Sequence, residues 1–324
     1  MKIITAIFFA RKSLRGSKGA EAIQRNPGDC FVARAPRNDN RRLFSIGLIL
    51  LFALLSASTH AFTASGFANP YGVVIDEKTG FIYVSNVNGD PDAKDDNGFI
   101  SRLKSDGTVD QLRFIDGASA DIILHAPKGM AILGNFLYVC DLDKIHGYDL
   151  TTGKQIFDVN FGDLLREHFY ALTIGPDGAL YAADAVKNII YRIDVSKQHE
   201  VTTFIASGEL GGPHGISWYP ARQVFVVTAA TLGQVVEFDK SGKRQQMPAI
   251  FLKGLEGLDD DDSGNMYIAS RELNTVYRAS PNFALNSFQM NLAGPAGVAY
   301  NRAAKSIIVT SFNGNTVQSF PVAP

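Results

Sequence analysis

Five side chains suited to chemistry stand directly before a small residue that opens an apolar run: Tyr71, Lys128, Tyr170, His214 and Glu256, with Ala296 in the sixth such place. The small residues themselves, Gly72, Gly129, Ala171, Gly215, Gly257 and Gly297, are spaced by 57, 42, 44, 42 and 40 residues. A carboxylate and an imidazole can ligate a divalent cation or move a proton, and phenols supply stacking faces with a polar tip. A second set, Asn86, Asp141, Asp184, Arg271 and Asn313, recurs near the ends of later apolar runs. No linear catalytic signature accompanies either set. G-x-S-x-G, H-E-x-x-H and paired cysteines are absent from the sequence, and Gly147–Lys154 has the wrong spacing for a phosphate loop. Any site must therefore be assembled by the fold.

The elements that could assemble it are repeats. Each unit has a first run such as Tyr71-Gly-Val-Val-Ile or His214-Gly-Ile-Ser-Trp. A second run follows nine to eleven residues later, such as Phe81-Ile-Tyr-Val-Ser, Phe136-Leu-Tyr-Val-Cys or Asn265-Met-Tyr-Ile-Ala. Third runs include Ile189-Ile-Tyr-Arg-Ile and Thr275-Val-Tyr-Arg. Short runs rich in Val, Ile, Tyr and Phe between Gly, Asn and Asp are strands, and a period near 40–45 residues with about four strands means propeller blades. The spacing predicts an all-β, six-bladed propeller over residues 62–324 with four antiparallel strands per blade. The last repeat stops after its third strand, so a strand at about 61–66 is expected to complete it and remove the exposed edge. In such a ring the residues before each first-strand glycine converge on one end of the central channel.

Blades built from G-V-x-I-D, G-x-I-Y-V-S-N and N-x-I-Y-R-I-D resemble the SMP-30/gluconolactonase and NHL propellers over essentially all of 67–324. The run Asn97-Gly-Phe-Ile-Ser-Arg-Leu-Lys, with Ala126-Pro-Lys-Gly-Met-Ala-Ile after it, is most similar to exported bacterial members whose activity is not established. The resemblance implies a second function class beside binding: a hydrolase of the lactonase type that uses a divalent metal such as Ca, Zn or Mn. Glu256 matches the position of one ligand carboxylate. His214 stands where an Asn is expected, and Tyr71 where such enzymes carry a Glu. His214 or Asp184 would then serve as ligand or general base. The other reading of Glu256 is an ion pair with Lys128 or Arg271. The other function class is a non-enzymatic propeller that binds a small molecule, glycan or protein through Tyr71, Asn86, Lys128, Asp141, Tyr170 and Arg271.

Charge narrows the partners. Residues 1–42 carry ten basic and three acidic residues, whereas 62–324 hold 21 basic and 29 acidic ones. A folded part this acidic is a poor match for nucleic acid. Arg41-Arg42 precedes fifteen apolar or small residues, Leu43–Ala57, short for a membrane span and suited to an export signal. Cleavage after Ala61 would leave a periplasmic or secreted domain; the alternative is an uncleaved anchor. Residues 1–40 have no periodicity, and a natural start downstream is one explanation. The domain is expected to be a monomer. Cys140 is alone after the signal, so no internal disulfide forms, and its apolar run predicts a buried thiol. The insertion at 87–97 predicts a turn-rich lip beside the ring; its Asn88, Asp90 and Asp92 alternate as calcium ligands might, without the loop's usual Gly and Glu. The acidic run Asp259–Asp262 predicts a solvated turn on the opposite face, and Trp218 a core position.

Overall fold

The computed structural model describes residues 61–322. The basic segment 1–42 and the expected export signal at 43–60 lie outside them, and no helix among the described residues is long and apolar enough to cross a membrane.

Six four-stranded antiparallel sheets follow one another in a ring. Five are consecutive along the chain, over residues 70–116, 130–158, 169–206, 213–245 and 255–290. The sixth joins 295–321 to Thr63–Ser65, which pairs antiparallel with Thr316–Pro321 in the register Thr63↔Gln318 and Ser65↔Thr316. The expected closure by the N-terminal strand is therefore present, and it ties the two ends of the domain together.

The inner strands are Pro70–Ile75, Met130–Leu133, Phe169–Ile174, Pro213–Tyr219, Leu255–Asp260 and Pro295–Asn301. Each second strand is buried along essentially its whole length, as in Ile82–Asn86, Leu180–Asp184 and Met266–Ser270. Both of its faces pack on neighbouring blades, which is why these strands read as near-continuous apolar runs instead of alternating ones. Six apolar clusters result, one at each seam between adjacent blades.

The glycine spacing has a steric cause. A Cβ on Gly72 would lie 2.2 Å from the carbonyl oxygen of Lys128, and one on Gly297 would lie 2.3 Å from that of Tyr71. Only a residue without a side chain lets neighbouring inner strands approach this closely. Hydroxyls on the second strands then fasten the seams. Ser85 Oγ donates to the Lys128 carbonyl (2.7 Å), Thr228 Oγ1 to that of Glu256 (2.6 Å) and Thr310 Oγ1 to that of Tyr71 (2.5 Å). Cys140 occupies the equivalent place, buried as expected, with Sγ 3.8 Å from the Ala171 carbonyl.

Candidate functional site

The ring assembles as the repeats require. Glu256 stands at its centre and is almost fully buried. The Tyr71 hydroxyl donates to Glu256 Oε2 at 2.5 Å, His214 Nδ1 lies 3.2 Å from the same oxygen, and Arg271 Nε lies 3.0 Å from Oε1. Burial alone would push the Glu256 carboxyl up; the bond to His214, the Arg271 charge and the Tyr71 hydroxyl outweigh it and hold the group below its ordinary range. The Tyr71 phenol moves the other way, raised first by burial and then by the neighbouring Glu256 charge.

Aromatic rings close the space around this carboxylate. Tyr170 stacks on His214 with centroids 4.1 Å apart and planes 12° from parallel, and Tyr71 meets Tyr170 and Phe312 edge-on at 6.0 and 6.4 Å. The Arg271 guanidinium lies 4.4 Å from the Phe312 centroid. Tyr71, Val87, Ala126, Leu142 and Ala296 form a seventh apolar cluster here. The channel neck beneath has a volume of only about 80 Å³, enough for two or three water molecules. The expected mouth is a plug.

Lys128 belongs to that plug and is fully buried. Its Nζ donates to the carbonyls of Pro91 (3.0 Å) and Ala126 (3.3 Å) and lies 5.0 Å from the Tyr170 centroid. Burial lowers its pKa to about 8. The contact with Pro91 shows where the inserted loop of residues 87–97 lies: over the ring, where the sequence placed it as a lip. Asp92 reaches His168 at 3.4 Å, and Lys94 reaches Asp143 at 3.2 Å. Its Asn and Asp side chains serve its own turns, as in the bond from Asn88 Nδ2 to the Asn97 carbonyl (2.8 Å) and from the Asp92 amide to Asp90 Oδ1 (3.0 Å).

Asn86, Asp141 and Asp184 have other work. Asn86 Oδ1 accepts the Ala68 amide at 3.1 Å, and its Nδ2 donates to Ser101 Oγ at 3.0 Å. Asp141 accepts the amides of His125 (2.8 Å), Ala126 (2.7 Å) and Leu142 (3.0 Å), with His146 Nε2 at 3.5 Å. Asp184 accepts those of Glu167 (2.7 Å), Val186 (3.1 Å) and Lys187 (2.9 Å). All three are buried clamps that satisfy loop amides, the usual fate of a buried carboxylate or carboxamide oxygen among unpaired backbone donors. The sequence set them beside the ring because they end second strands; only the direction of their hydrogen bonds separates them from it.

A divalent metal does not fit this donor set. One carboxylate is already shared by a phenol, an imidazole and a guanidinium, and a metal bound to it would have to sit beside the Arg271 cation or displace it. Among the described residues, no group of three or more His, Cys, Asp or Glu side chains is arranged to hold a metal ion.

The acidic run differs from its expectation. It does lie on the opposite face, but it is not a solvated turn throughout. Asp261 is buried and accepts the amides of Ser263 and Asn265, both at 2.9 Å, so it alone builds the turn. Asp259 and Asp260 belong to the inner strand and line the far end of the channel. Trp218, expected in the core, is half-buried and lines that same end while packing on Phe225.

Six-bladed propellers of the SMP-30/NHL-like kind have this architecture. No family model matches the chain, and no curated protein matches it in sequence. Solved structures share its fold. A gluconolactonase from Xanthomonas campestris is 14% identical with a TM-score of 0.61, over 81% of this chain and 90% of its own. Virginiamycin B lyase from Staphylococcus aureus is 13% identical with a TM-score of 0.58, over 81% of this chain and all of its own. Hydrazine synthase from Kuenenia stuttgartiensis is 17% identical with a TM-score of 0.56, over 76% and 75%. At these identities the likeness is one of fold.

Proposed function

We propose that this protein is an exported binding propeller whose ring face receives a protein partner. One observation carries the reading: the distribution of exposed apolar side chains. Ile123, Leu165, Val186, Leu232, Phe251 and Leu273 all sit on connections at the ring face, and Leu165 and Phe251 are 71% and 63% exposed. The other exposed large apolar residues, Leu112, Ile156 and Met290, lie on outermost strands, and the turns of the opposite face carry none among the described residues. Such a rim around a filled centre suits a broad protein surface better than a small molecule, because apolar tips lose water only when another surface covers them. The blades supply rigidity; the loops supply contact.

The contact between His214 Nδ1 and Glu256 favours a second reading, in which a carboxylate-oriented imidazole acts as a general base without a metal. The closed plug weighs against it, since a substrate would have to displace Tyr71 or Tyr170.

Cross-linking in the producing cell separates the two. A photoreactive residue replacing Leu232 or Phe251 is expected to capture one discrete protein, and one replacing the exposed Asp106 on the opposite face is not. Capture must fall when Leu273→Asp is added. No species from either ring position, or the same species from both faces, overturns the reading. Turnover of a lactone that disappears in His214→Ala would replace it with an enzyme.

A further inference from the structure

The far end of the channel has the room that the ring end lacks. A cavity of about 430 Å³ opens there on the propeller axis, within the range of small-ligand sites. Its floor is the apolar collar that includes Val73, Met130, Leu172 and Val298. One level further out, five blades present Ile75, Ile132, Ile174, Trp218 and Tyr300, and the fifth presents Asp260. Between these levels the fifth blade has Asp259, where every other blade has a small or apolar neutral residue.

These two carboxylates are not required by the turn, which Asp261 builds. Asp259 straps blades five and six, accepting the Tyr300 amide at 2.8 Å and the Asp260 amide at 2.9 Å. Asp262 is paired with Lys305 and Arg302, and Arg302 also with Glu77 at 3.1 Å. Asp260 makes no side-chain hydrogen bond or ion pair among the described residues. A chamber with an apolar collar, the aromatic side chains Trp218 and Tyr300, and in Asp260 a carboxylate without an ion pair is complementary to a cation with a hydrocarbon body.

We propose that this funnel is a binding site for a small organic cation, its ammonium group paired with Asp260 and its carbon skeleton against Ile75, Ile132, Ile174 and Trp218. The inference is independent of the ring-face reading. Burial first, and then mutual repulsion, raise Asp260 to about 7, and burial raises Asp259 to about 6. Asp259, Asp261, Asp262, Glu77, Tyr219 and Arg302 are the titratable and charged groups that bear on Asp260, and a second cation, Lys240, lies 5.5 Å from the Trp218 ring centroid. Binding is therefore expected to strengthen as pH rises through about 7, where Asp260 ionises.

Trp218 is the sole tryptophan of the chain, so its fluorescence reports on the funnel. Titration of the purified protein with n-butylammonium, benzylammonium and tetramethylammonium is expected to give a saturable change with at least one probe. Butanol and butyrate serve as neutral and anionic controls. Asp260→Asn should weaken binding about tenfold, Asp260→Glu should retain it, and Phe251→Asp at the other face should leave it unaltered. Should Asp260→Asn fail to fold, weaker binding by the native protein at about pH 5 than at about pH 8 makes the same point. No saturable change at about 10 mM of any ammonium probe overturns the proposal. Equal binding of butanol, or binding of calcium instead of the ammonium ions, overturns it as well.

Discussion

The two ends of the channel are built from the same six strands, only a few residues apart, yet they treat charge in opposite ways. At the ring end one carboxylate, Glu256, is surrounded by Tyr71, His214 and Arg271, and aromatic rings fill the remaining space. At the funnel end Asp260 has no hydrogen-bonding or ion-pair partner for its side chain among the described residues, and the space is open. A repeated backbone makes the ends geometrically alike. Single substitutions within individual blades then decide which end is a lock and which is a chamber.

That contrast breaks most sharply at Glu256. Glu256→Ala leaves the Arg271 guanidinium buried without its carboxylate and is expected to remove about 3–5 kcal/mol, read as a lower denaturant midpoint. A loss below about 1 kcal/mol would mean that the aromatic rings alone hold the plug.

Acid separates the ends next. The folded Glu256 carboxyl lies below its ordinary range, so the stability it contributes is present above the unfolded value of 4.5 and is lost as pH falls through the folded one. Asp259 and Asp260 lie above their ordinary 3.8, so their burial weighs on the fold increasingly as pH rises from about 4 to about 7. Asp260→Asn should therefore stabilise the protein by about 2 kcal/mol at about pH 8, once the shift is discounted for the water that reaches the carboxyl. The gain should shrink toward about pH 4, whereas the penalty of Glu256→Ala should stay level over that range and shrink only below 4.5. Thermal midpoints of both variants across that range test the pair; a gain independent of pH at Asp260 would contradict an ionising carboxylate in the funnel.

The smallest effect belongs to the seams that both ends share. Cys140→Ser puts a hydroxyl where Ser85, Thr228 and Thr310 already bridge to the next blade, and should change stability by less than about 1 kcal/mol. Cys140→Asp, which buries a charge at the same seam, should cost several-fold more by the same denaturation measurement.

The blade count was legible in the small residues because a steric requirement repeats with the backbone: Gly72 and Gly297 must lack a Cβ where the next inner strand touches them, and only Ala171 carries one at the equivalent place. The members of the ring were legible for the same reason. Phe312 and His168, which pack on that ring, were not, since the residue type at their recurring positions changes from blade to blade: Phe312 stands where Val87, Ala185, Ala230 and Arg271 do, and His168 where Asn69, Gly212, Gly254 and Gly294 do. The seam hydroxyls could have been found by aligning the second strands, where Ser85, Cys140, Thr228 and Thr310 share one register. Asn86, Asp141 and Asp184 lie where the sequence placed them along the chain, and their hydrogen bonding was not legible there, because a side chain that caps loop amides and one that faces a ligand have the same sequence position.

The sequence by itself determined the strands, their repetition, the closure by the N-terminal strand and the end of the channel on which each polar residue falls. Those follow from local residue type and from a period, and both are written along the chain. Only the tertiary structure decided that the ring end is filled and the far end open. Free volume is what remains after side chains from six blades have packed, and the pairing of Glu256 and the isolation of Asp260 depend on distances between residues far apart in sequence.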